Sequence, residues 1–327
     1  MAKEKSQFPT EMISLPSKGY FYPEDNPLSS GEVEVKYMTA REEDILTSTN
    51  LIQKGIVLDK LLDALVVSDV DLDDILIGDK NAIMVAARVL AYGKDYTFDF
   101  VDPSSGNKRD ETVDLTSLEN KKINFNDYEK GKNEFDFKLP GSKRKLTFKL
   151  LTQRDEKAND SQLKALKKIS KSTGIDPEIT TRLKSSIIAV DGNRDDSVIN
   201  SFVDNEFLSI DSFAYRVYLT TITPDVDLSF TVELDNGEVE EVAVPVTATF
   251  FCLRPQDKPD IHNQIFTLIY NSKGGFTFNE VYNMPIYLRL YYLKRLEQQY
   301  KDEQSSYNKQ MKKSNTRGPS IKKPRRK

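Results

Sequence analysis

Apolar residues follow the same succession of spacings twice along the chain. At residues 33–37 and again at 146–150 every second residue is apolar, which is typical of a strand with one buried face. Each strand runs into a threonine that is followed three residues later by an acidic residue, at 39–42 and at 152–155. That spacing is typical of a helix capping box. The pattern therefore predicts a duplicated arrangement of strand and capped helix.

In the first copy, helical spacing continues to residue 93. Thr39 is predicted to cap the first helix, and the apolar residues between 45 and 65 suit short packed helices. Asp79 is predicted to cap a longer helix, which Gly93 ends. A hairpin is predicted next, since residues 96–115 contain two alternating runs around a Pro-Ser-Ser-Gly turn.

The second copy repeats this order with a longer helical part. Strands are predicted at 134–139 and 145–151. The Asp-Pro pair at 176–177 is a strong helix start, because Pro suits the first helical position. The apolar spacing after it predicts a helix that continues to Val190. Ser209 is predicted to cap the next helix, which has on one side Ile210, Phe213, Ala214, Val217 and Tyr218.

A second hairpin is predicted at the end of this copy. Residues 228–234 and 239–244 flank an Asp-Asn-Gly turn, one of the better short-range hairpin signals. The chain is then predicted to continue as an apolar strand at 246–253, which contains Cys252. The sequence thus predicts an α+β protein of two similar units, each with a small antiparallel sheet and a helical cluster.

The two ends of the chain are predicted to differ from these units. Two prolines and a glycine between 14 and 23 predict an extended arm, which packs either on its own domain or on a neighbour. An Asn-Met-Pro run at 283–285 begins a long helix, and its polar continuation from 298 is predicted to leave the body. The expected organisation is an arm (1–30), a first unit (31–130), a second unit (131–258), a C-terminal helical region (259–308) and a basic disordered tail (309–327).

Composition excludes several classes of protein. A chain of 327 residues is long enough for about two domains. It has no apolar run of the roughly 18 residues that span a membrane, and its first residues lack the apolar stretch of a secretory signal. Because Cys252 is the single cysteine and His262 the single histidine, neither an internal disulfide nor a zinc site of ordinary composition is expected. These features predict a protein of a reducing cytoplasm with no membrane partner and no cofactor.

Charge is unevenly distributed. Residues 309–327 contain nine of the 47 basic residues and none of the 51 acidic ones, so residues 1–308 have a net charge of −13. The basic tail would attract phosphates without sequence preference, or would bind an acidic protein surface. The acidic body disfavours nucleic acid as the main partner.

No motif identifies a catalytic or metal site. The aspartate-rich runs at 69–73 and 191–195 begin like calcium loops, but the sixth and twelfth positions lack the required Gly and Glu. Glycine patterns of nucleotide-binding loops do not occur. His262 has no obvious partner, and Cys252 is predicted to be buried and inert. An acid–base mechanism on Asp, Glu, Lys and Tyr stays possible, but nothing selects a pair, so a non-enzymatic protein is predicted.

Several short motifs nevertheless occur in an informative order. They are Leu-Pro-Ser-Lys-Gly-Tyr at 15–20, the strand and capped helix at 31–46, Leu-Pro-Gly-Ser-Lys at 139–143, Leu-Thr-Gln-Arg-Asp-Glu at 151–156, Val-Asp-Gly-Asn at 190–193, Asp211, Pro-Asp-Val-Asp-Leu at 224–228 and Thr-Phe-Phe at 249–251. In this order they resemble the T4-type baseplate hub family of contractile-tailed bacteriophages. The resemblance covers about residues 12–255. Some relatives have Cys-x-x-Cys pairs in the hairpins, whereas the turns at 102–105 and 233–236 have none here, so no zinc knuckle is expected.

The resemblance implies a structural or assembly role at the centre of a phage baseplate, without catalytic residues. The implied partners are other phage baseplate and tail proteins, with a homo-oligomer possible. The implied location is the host cytoplasm during assembly, and then the tail baseplate of the virion. An assembly chaperone that is absent from the mature virion, and a nucleic-acid binder acting through residues 309–327, are the alternatives.

Aromatic and basic side chains of the arm, the C-terminal helix and the tail are the candidate contact residues, because such side chains are favoured interface anchors. The candidates are Tyr20, Phe21, Tyr291, Tyr300, Tyr307, Lys322, Lys323, Arg325 and Arg326. The aromatic members of this set fit a buried core equally well.

Overall fold

A computed structural model describes residues 9–169, 178–246, 248–251 and 253–315 of the chain. It has an α+β fold of small antiparallel sheets, packed helices and a long C-terminal helix, as predicted from the sequence. None of the helices in these ranges is long and apolar enough to cross a membrane.

The first unit consists of two hairpins separated by helices. Its elements are β1 (Thr10–Ser14), β2 (Glu32–Lys36), α1 (Ala40–Leu46), α2 (Thr49–Lys54), α3 (Val57–Leu65), α4 (Ile77–Tyr92), β3 (Asp95–Val101) and β4 (Lys108–Asp114). Strand β1 pairs with β2 and β3 with β4, both antiparallel. The predicted capping box of α1 is present: Thr39 N donates to Glu42 Oε2 at 2.8 Å, and the Thr39 side chain accepts from the helix backbone. Gly93 ends α4 with a positive φ of 87°, also as predicted.

The second unit has a similar order of elements, with an additional strand among its helices. Its elements are β5 (Phe135–Lys138), β6 (Lys145–Phe148), α5 (Gln153–Ile169), α6 (Glu178–Ser186), β7 (Ile187–Val190), α7 (Asp196–Ser201), α8 (Ser209–Ile222), β8 (Ser229–Glu233) and β9 (Val239–Ala243). Strands β5, β6 and β7 form a three-stranded antiparallel sheet, and β8 pairs with β9. At the start of α5, Thr152 N donates to Asp155 Oδ2 at 3.0 Å, so the second predicted cap is also present.

The first sheets of the two units correspond strand by strand. Helix α3 and the described part of α6 each lead directly into a partner of the middle strand. In the first unit the partner is Val66 alone, which forms a single bridge to Val35 of β2. In the second unit it is the full strand β7, in which Ile187 pairs with Phe148.

The long helices α4 and α8 are connected to these sheets in the same way. Asp79 is the third residue of α4, and its two carboxylate oxygens accept from Ser17 N at 2.9 Å and Ser17 Oγ at 2.6 Å. Asp211 is the third residue of α8, and its oxygens accept from Gly141 N at 2.6 Å and Ser142 N at 2.9 Å. The duplication predicted from the sequence is therefore a duplication of topology and of contacts.

Two predicted helix caps are wrong. Helix α4 begins at Ile77, so Asp79 lies inside its first turn and accepts from Ser17 instead of from its own helix. Helix α8 begins at Ser209 itself, which therefore is not its cap. A short-range cap signal cannot reveal that a carboxylate is bound by a loop from elsewhere in the chain.

Two further predictions about the second unit are wrong. The helix predicted to continue to Val190 ends at Ser186, and Ile187–Val190 forms β7. The strand predicted at 246–253 is replaced by a 3₁₀ turn at Ala248–Phe251. Short apolar runs are buried in either conformation, so their periodicity does not distinguish helix from strand. The predicted helix start at 176–177 and the predicted burial of Cys252 lie outside the described residues.

One apolar core contains side chains from both units, among them Leu61 and Phe148. The described part of the arm packs onto it, since Leu15, Phe21 and Tyr22 are buried there. The arm thus lies on its own chain, one of the two alternatives left by the sequence. The domain boundaries expected from the sequence stay a prediction.

The C-terminal region adds α9 (Lys258–Asn271), α10 (Phe278–Tyr282) and α11 (Ile286–Asn315). These helices share a second, smaller core with Ala40 of the first unit. Helix α11 begins directly after Pro285, as predicted. All residues from 297 to 311 are exposed, so this part of the helix projects from the body as predicted.

The second hairpins of the two units contact each other. The rings of Phe98 and Phe230 meet edge to face, with centroids 5.4 Å apart. Asp235 N donates to Asp102 Oδ2 at 2.7 Å, and Arg109 Nη1 donates to Asp235 Oδ1 at 2.8 Å. Hydrogen bonds thus hold the turns that bear cysteine pairs in some relatives, as expected for turns without cysteine.

We expect this hairpin contact to weaken in acid. Hydrogen bonds, the largest from Ser104, lower the pKa of Asp102 to about 2 despite burial. A carboxylate with a lowered pKa stabilises the fold above its unfolded pKa of about 4, and this contribution is lost as the pH falls towards 2. Asp102→Asn should therefore lower the melting temperature more at pH 6.5 than at pH 3, as measured by circular dichroism.

Asp99→Asn is the matched control, because Asp99 lies exposed on the same hairpin. Its small effect should be similar at both pH values. An equal loss for Asp102→Asn at pH 6.5 and pH 3 would show that the Asp102 carboxylate does not stabilise the contact.

Candidate partner-binding surfaces

The ionisable side chains around a surface depression are paired with each other. A shallow depression is lined by Asp71, Asp73 and Lys157, among others. Lys157 Nζ lies 2.5 Å from Asp73 Oδ1, and Arg154 Nη2 lies 3.1 Å from Asp71 Oδ2, so these carboxylates are paired with surface cations. Within the described ranges, no group of three or more His, Cys, Asp or Glu side chains is placed to hold a metal ion.

His262, for which the sequence offered no partner, lies beside Asp44. Its Nε2 is 3.5 Å from Asp44 Oδ1, and Lys258 Nζ is 3.0 Å from the same oxygen. Tyr282 donates to Asp44 Oδ2 at 2.6 Å. Burial would raise the pKa of Asp44, but the hydrogen bonds from Tyr282 and Lys258 outweigh it and the pKa is lowered. The cluster connects α9 and α10 to α1 as an ion-pair network.

The candidate contact residues of the arm are not freely accessible. Phe21 is 1% exposed and packs edge to face on Phe135, with ring centroids 5.2 Å apart. It is therefore a core residue, and its prediction as a contact residue is wrong because the arm lies on its own unit. Tyr20 is half-buried, and its hydroxyl donates to the carbonyl oxygen of Tyr128 at 3.0 Å.

The candidate tyrosines of α11 are all exposed. Tyr300 and Tyr307 are seven residues apart and so share one side of the helix, whereas Tyr291 lies on the opposite side. The Tyr300 hydroxyl donates to Asn271 Oδ1 at the end of α9, which leaves its ring at the surface. The role of these three tyrosines in partner binding stays a prediction.

The basic candidates lie outside the described residues. They are Lys322, Lys323, Arg325 and Arg326. Their part in binding therefore rests on the charge pattern of the sequence alone.

Two exposed apolar surfaces were not selected from the sequence. On α9, Phe266 and Tyr270 stack on each other at the surface, with ring centroids 5.6 Å apart. The second surface, here called the α8 face, contains Ile210, Phe213 and Val217. Helical spacing predicted these three residues on one side of a helix, but spacing does not tell whether that side is covered.

The described residues form a duplicated α+β scaffold with exposed aromatic side chains on its helices. The chain matches the sequence model of the T4 bacteriophage base plate proteins over residues 19–251. This match includes most of both units and more than half of the chain, so the chain belongs to that family. Comparison with curated proteins finds no match, and comparison with solved structures finds none.

Family membership confirms that the ordered motifs belong to a T4-type baseplate protein. The assignment to the hub stays a prediction. Family membership also supports a baseplate structural role and a location in the phage tail. The matched range begins within the arm at residue 19 and ends at residue 251, before the C-terminal helices. Helices α9 to α11 therefore lie outside the part of the chain that defines the family.

Proposed function

We propose that this chain is a non-enzymatic component of the phage baseplate hub that acts through protein–protein contacts. The observation that carries the proposal is the family match over both units. Two similar units and a projecting helix offer several separate surfaces. Such surfaces suit simultaneous docking to several neighbours in a symmetric assembly. The chain would assemble in the host cytoplasm and remain in the tail.

The projecting part of α11 is the proposed docking element for another baseplate or tail protein. Residues 297–311 are exposed throughout, and an isolated helix of this length is only marginally stable in water. A partner that covers Tyr300 and Tyr307 would stabilise it. Tyrosine rings contribute large contact areas at interfaces and are common binding hot spots.

Mass spectrometry of purified virions tests the proposed role. We expect this chain in a fixed ratio to the other baseplate proteins in virions of the phage that encodes it. An assembly chaperone would instead be abundant in infected cells and absent from the particle. Deletion of residues 309–327 would test the nucleic-acid alternative, since unchanged tail assembly would dismiss it.

The docking role of α11 predicts a specific loss. In a complementation assay, the double variant Tyr300→Ser and Tyr307→Ser should enter virions at least about tenfold less than the unmodified chain, because each hot-spot tyrosine contributes more than about 1 kcal/mol. Tyr291→Ser is the matched control, since Tyr291 is equally exposed on the opposite side of the same helix. Normal incorporation of the double variant would exclude α11 as the docking element.

A further inference from the structure

In the first unit, one face of the long helix α4 is covered by the second unit. The covering segment follows α8 and begins at Pro224. A Cβ at Gly78 would lie 1.8 Å from the carbonyl oxygen of Pro224, so the two backbones are in direct contact. Three residues after Gly78, Asn81 Nδ2 donates to Asp225 Oδ1 at 3.1 Å. This face of α4 is thus a contact surface between units of the same fold.

The same face can be located on α8, because Asp79 and Asp211 occupy equivalent positions. The face consists of the residues one before, two after and six after the aspartate. These are Gly78, Asn81 and Val85 in α4, and Ile210, Phe213 and Val217 in α8. The α8 face is therefore the counterpart of the surface that the first unit uses within the chain.

The two faces differ in chemistry and in coverage. Val85 is buried, and Gly78, seven residues earlier on the same face, permits close backbone approach. On α8 the corresponding side chains are large and apolar, and Ile210, Phe213 and Val217 are 61%, 64% and 51% exposed. A contiguous apolar patch of this kind at a protein surface marks an interaction site.

We propose that the α8 face binds a second copy of this chain. The equivalent face of α4 is already a contact between units of this fold. A second copy offers an identical α8 face that is likewise uncovered. The α8 face has no glycine like Gly78, whose backbone contacts the Pro224 carbonyl oxygen. It suits pairing with the identical face of a second copy across a twofold axis. None of the three side chains of the face is charged, so two copies can meet there without burying a charge.

The size of the face sets the expected affinity. One helical face of this length is smaller than the roughly 800 Å² per partner of a standard stable interface. We therefore expect a reversible dimer whose population depends on concentration, rather than a permanent one. This inference does not depend on the phage role, because it rests on the duplication within the chain.

Sedimentation equilibrium of the full chain under reducing conditions tests the proposal. Between about 1 and 300 µM the average mass should rise from 37.3 kDa towards twice that value. Phe213→Asp should weaken the association at least about tenfold, because it places an unpaired charge in the apolar contact. Phe266→Asp is the matched control, since Phe266 has the same exposure of 64% but lies on α9. Both substitutions are at exposed positions, so both variants should keep the circular dichroism spectrum of the unmodified chain.

Three results would overturn the proposal. They are a monomeric chain at all concentrations, a dimer that persists unchanged in Phe213→Asp, and a dimer that is lost in Phe266→Asp but not in Phe213→Asp. A monomeric chain that still enters virions would leave the proposed baseplate role intact, so the two proposals can fail separately.

Discussion

Arg289→Met should lower the free energy of unfolding by about 3–5 kcal/mol, the usual cost of removing one partner from a buried ion pair. Arg289 is 1% exposed, and its Nη2 lies 2.5 Å from Oε2 of Glu43, which is 3% exposed. The substitution would remove the cation and leave the carboxylate of Glu43 buried. The loss should appear as a lower urea midpoint.

The effect is expected to be large because the pair connects four helices. Tyr92 of α4 donates to the other oxygen of Glu43 at 3.2 Å. Arg289 Nε donates to Gln264 of α9 at 3.2 Å, and Glu43 itself belongs to α1. Removing the guanidinium therefore weakens the attachment of α11 to the body, on which the direction of the projecting helix depends.

The pH dependence distinguishes this mechanism from a simple loss of packing. Burial raises the pKa of Glu43 above its ordinary value, although Arg289 counteracts this. A carboxyl with a raised pKa binds a proton more readily in the folded protein, so stability is regained as the pH falls through that pKa. The defect of Arg289→Met should therefore be smaller at pH 4.5 than at pH 7.

An exposed arginine provides the control. Arg254→Met removes a side chain that is 66% exposed and 3.7 Å from Asp257, so it should cost less than about 1 kcal/mol. A loss below 1 kcal/mol for Arg289→Met, or an equal loss at both pH values, would show that the buried pair does not hold α11.

The parts of the fold that were predicted correctly have signals formed by residues close together in the sequence. The capping boxes at Thr39 and Thr152 need only an acidic residue three positions later. The two second hairpins follow from alternation around a tight turn, and the start of α11 from Pro285. These signals are complete within a few residues, so no tertiary information is required to read them.

The wrong predictions concern contacts between distant residues. Asp79 has the sequence context of a helix cap, but its partner Ser17 lies 62 residues away. Ile187–Val190 has helical spacing and yet becomes a strand because β6 provides an edge to pair with. Local pattern gives the correct burial of such residues without giving their conformation.

For the candidate contact residues too, the local pattern did not reveal which side chains the rest of the chain covers. Phe21 and Tyr291 are both aromatic residues beside other aromatics, and the sequence ranked them alike. The structure places Phe21 among the rings of the core and leaves Tyr291 60% exposed. For the α8 face, spacing grouped Phe213 correctly with its neighbours, but only the position of the second unit shows which helical face is covered.

Gly78→Ala is expected to destabilise the protein by about 3 kcal/mol, at the upper end of the 1–3 kcal/mol that overpacking commonly costs. The added Cβ would lie 1.8 Å from the carbonyl oxygen of Pro224. That oxygen belongs to the backbone, so it cannot rotate away as a flexible side chain would. The sign of the change in the free energy of unfolding is informative, because Gly→Ala within a helix otherwise stabilises by roughly 0.5–1 kcal/mol.

The equivalent position of the second unit provides the matched control. At about 1 µM, where the α8 face should not yet associate, Ile210→Ala changes an exposed side chain, so the free energy of unfolding should change by no more than about 0.5 kcal/mol. Hydrogen exchange adds a local readout, since displacement of the segment after Pro224 should expose Lys121 N, which donates to Asp225 O at 2.9 Å. Unchanged or increased stability of Gly78→Ala, with normal protection of Lys121, would mean that the second unit does not rest on α4. Faster exchange at Lys121 in Gly78→Ala alone would instead establish that units of this fold meet through this helical face.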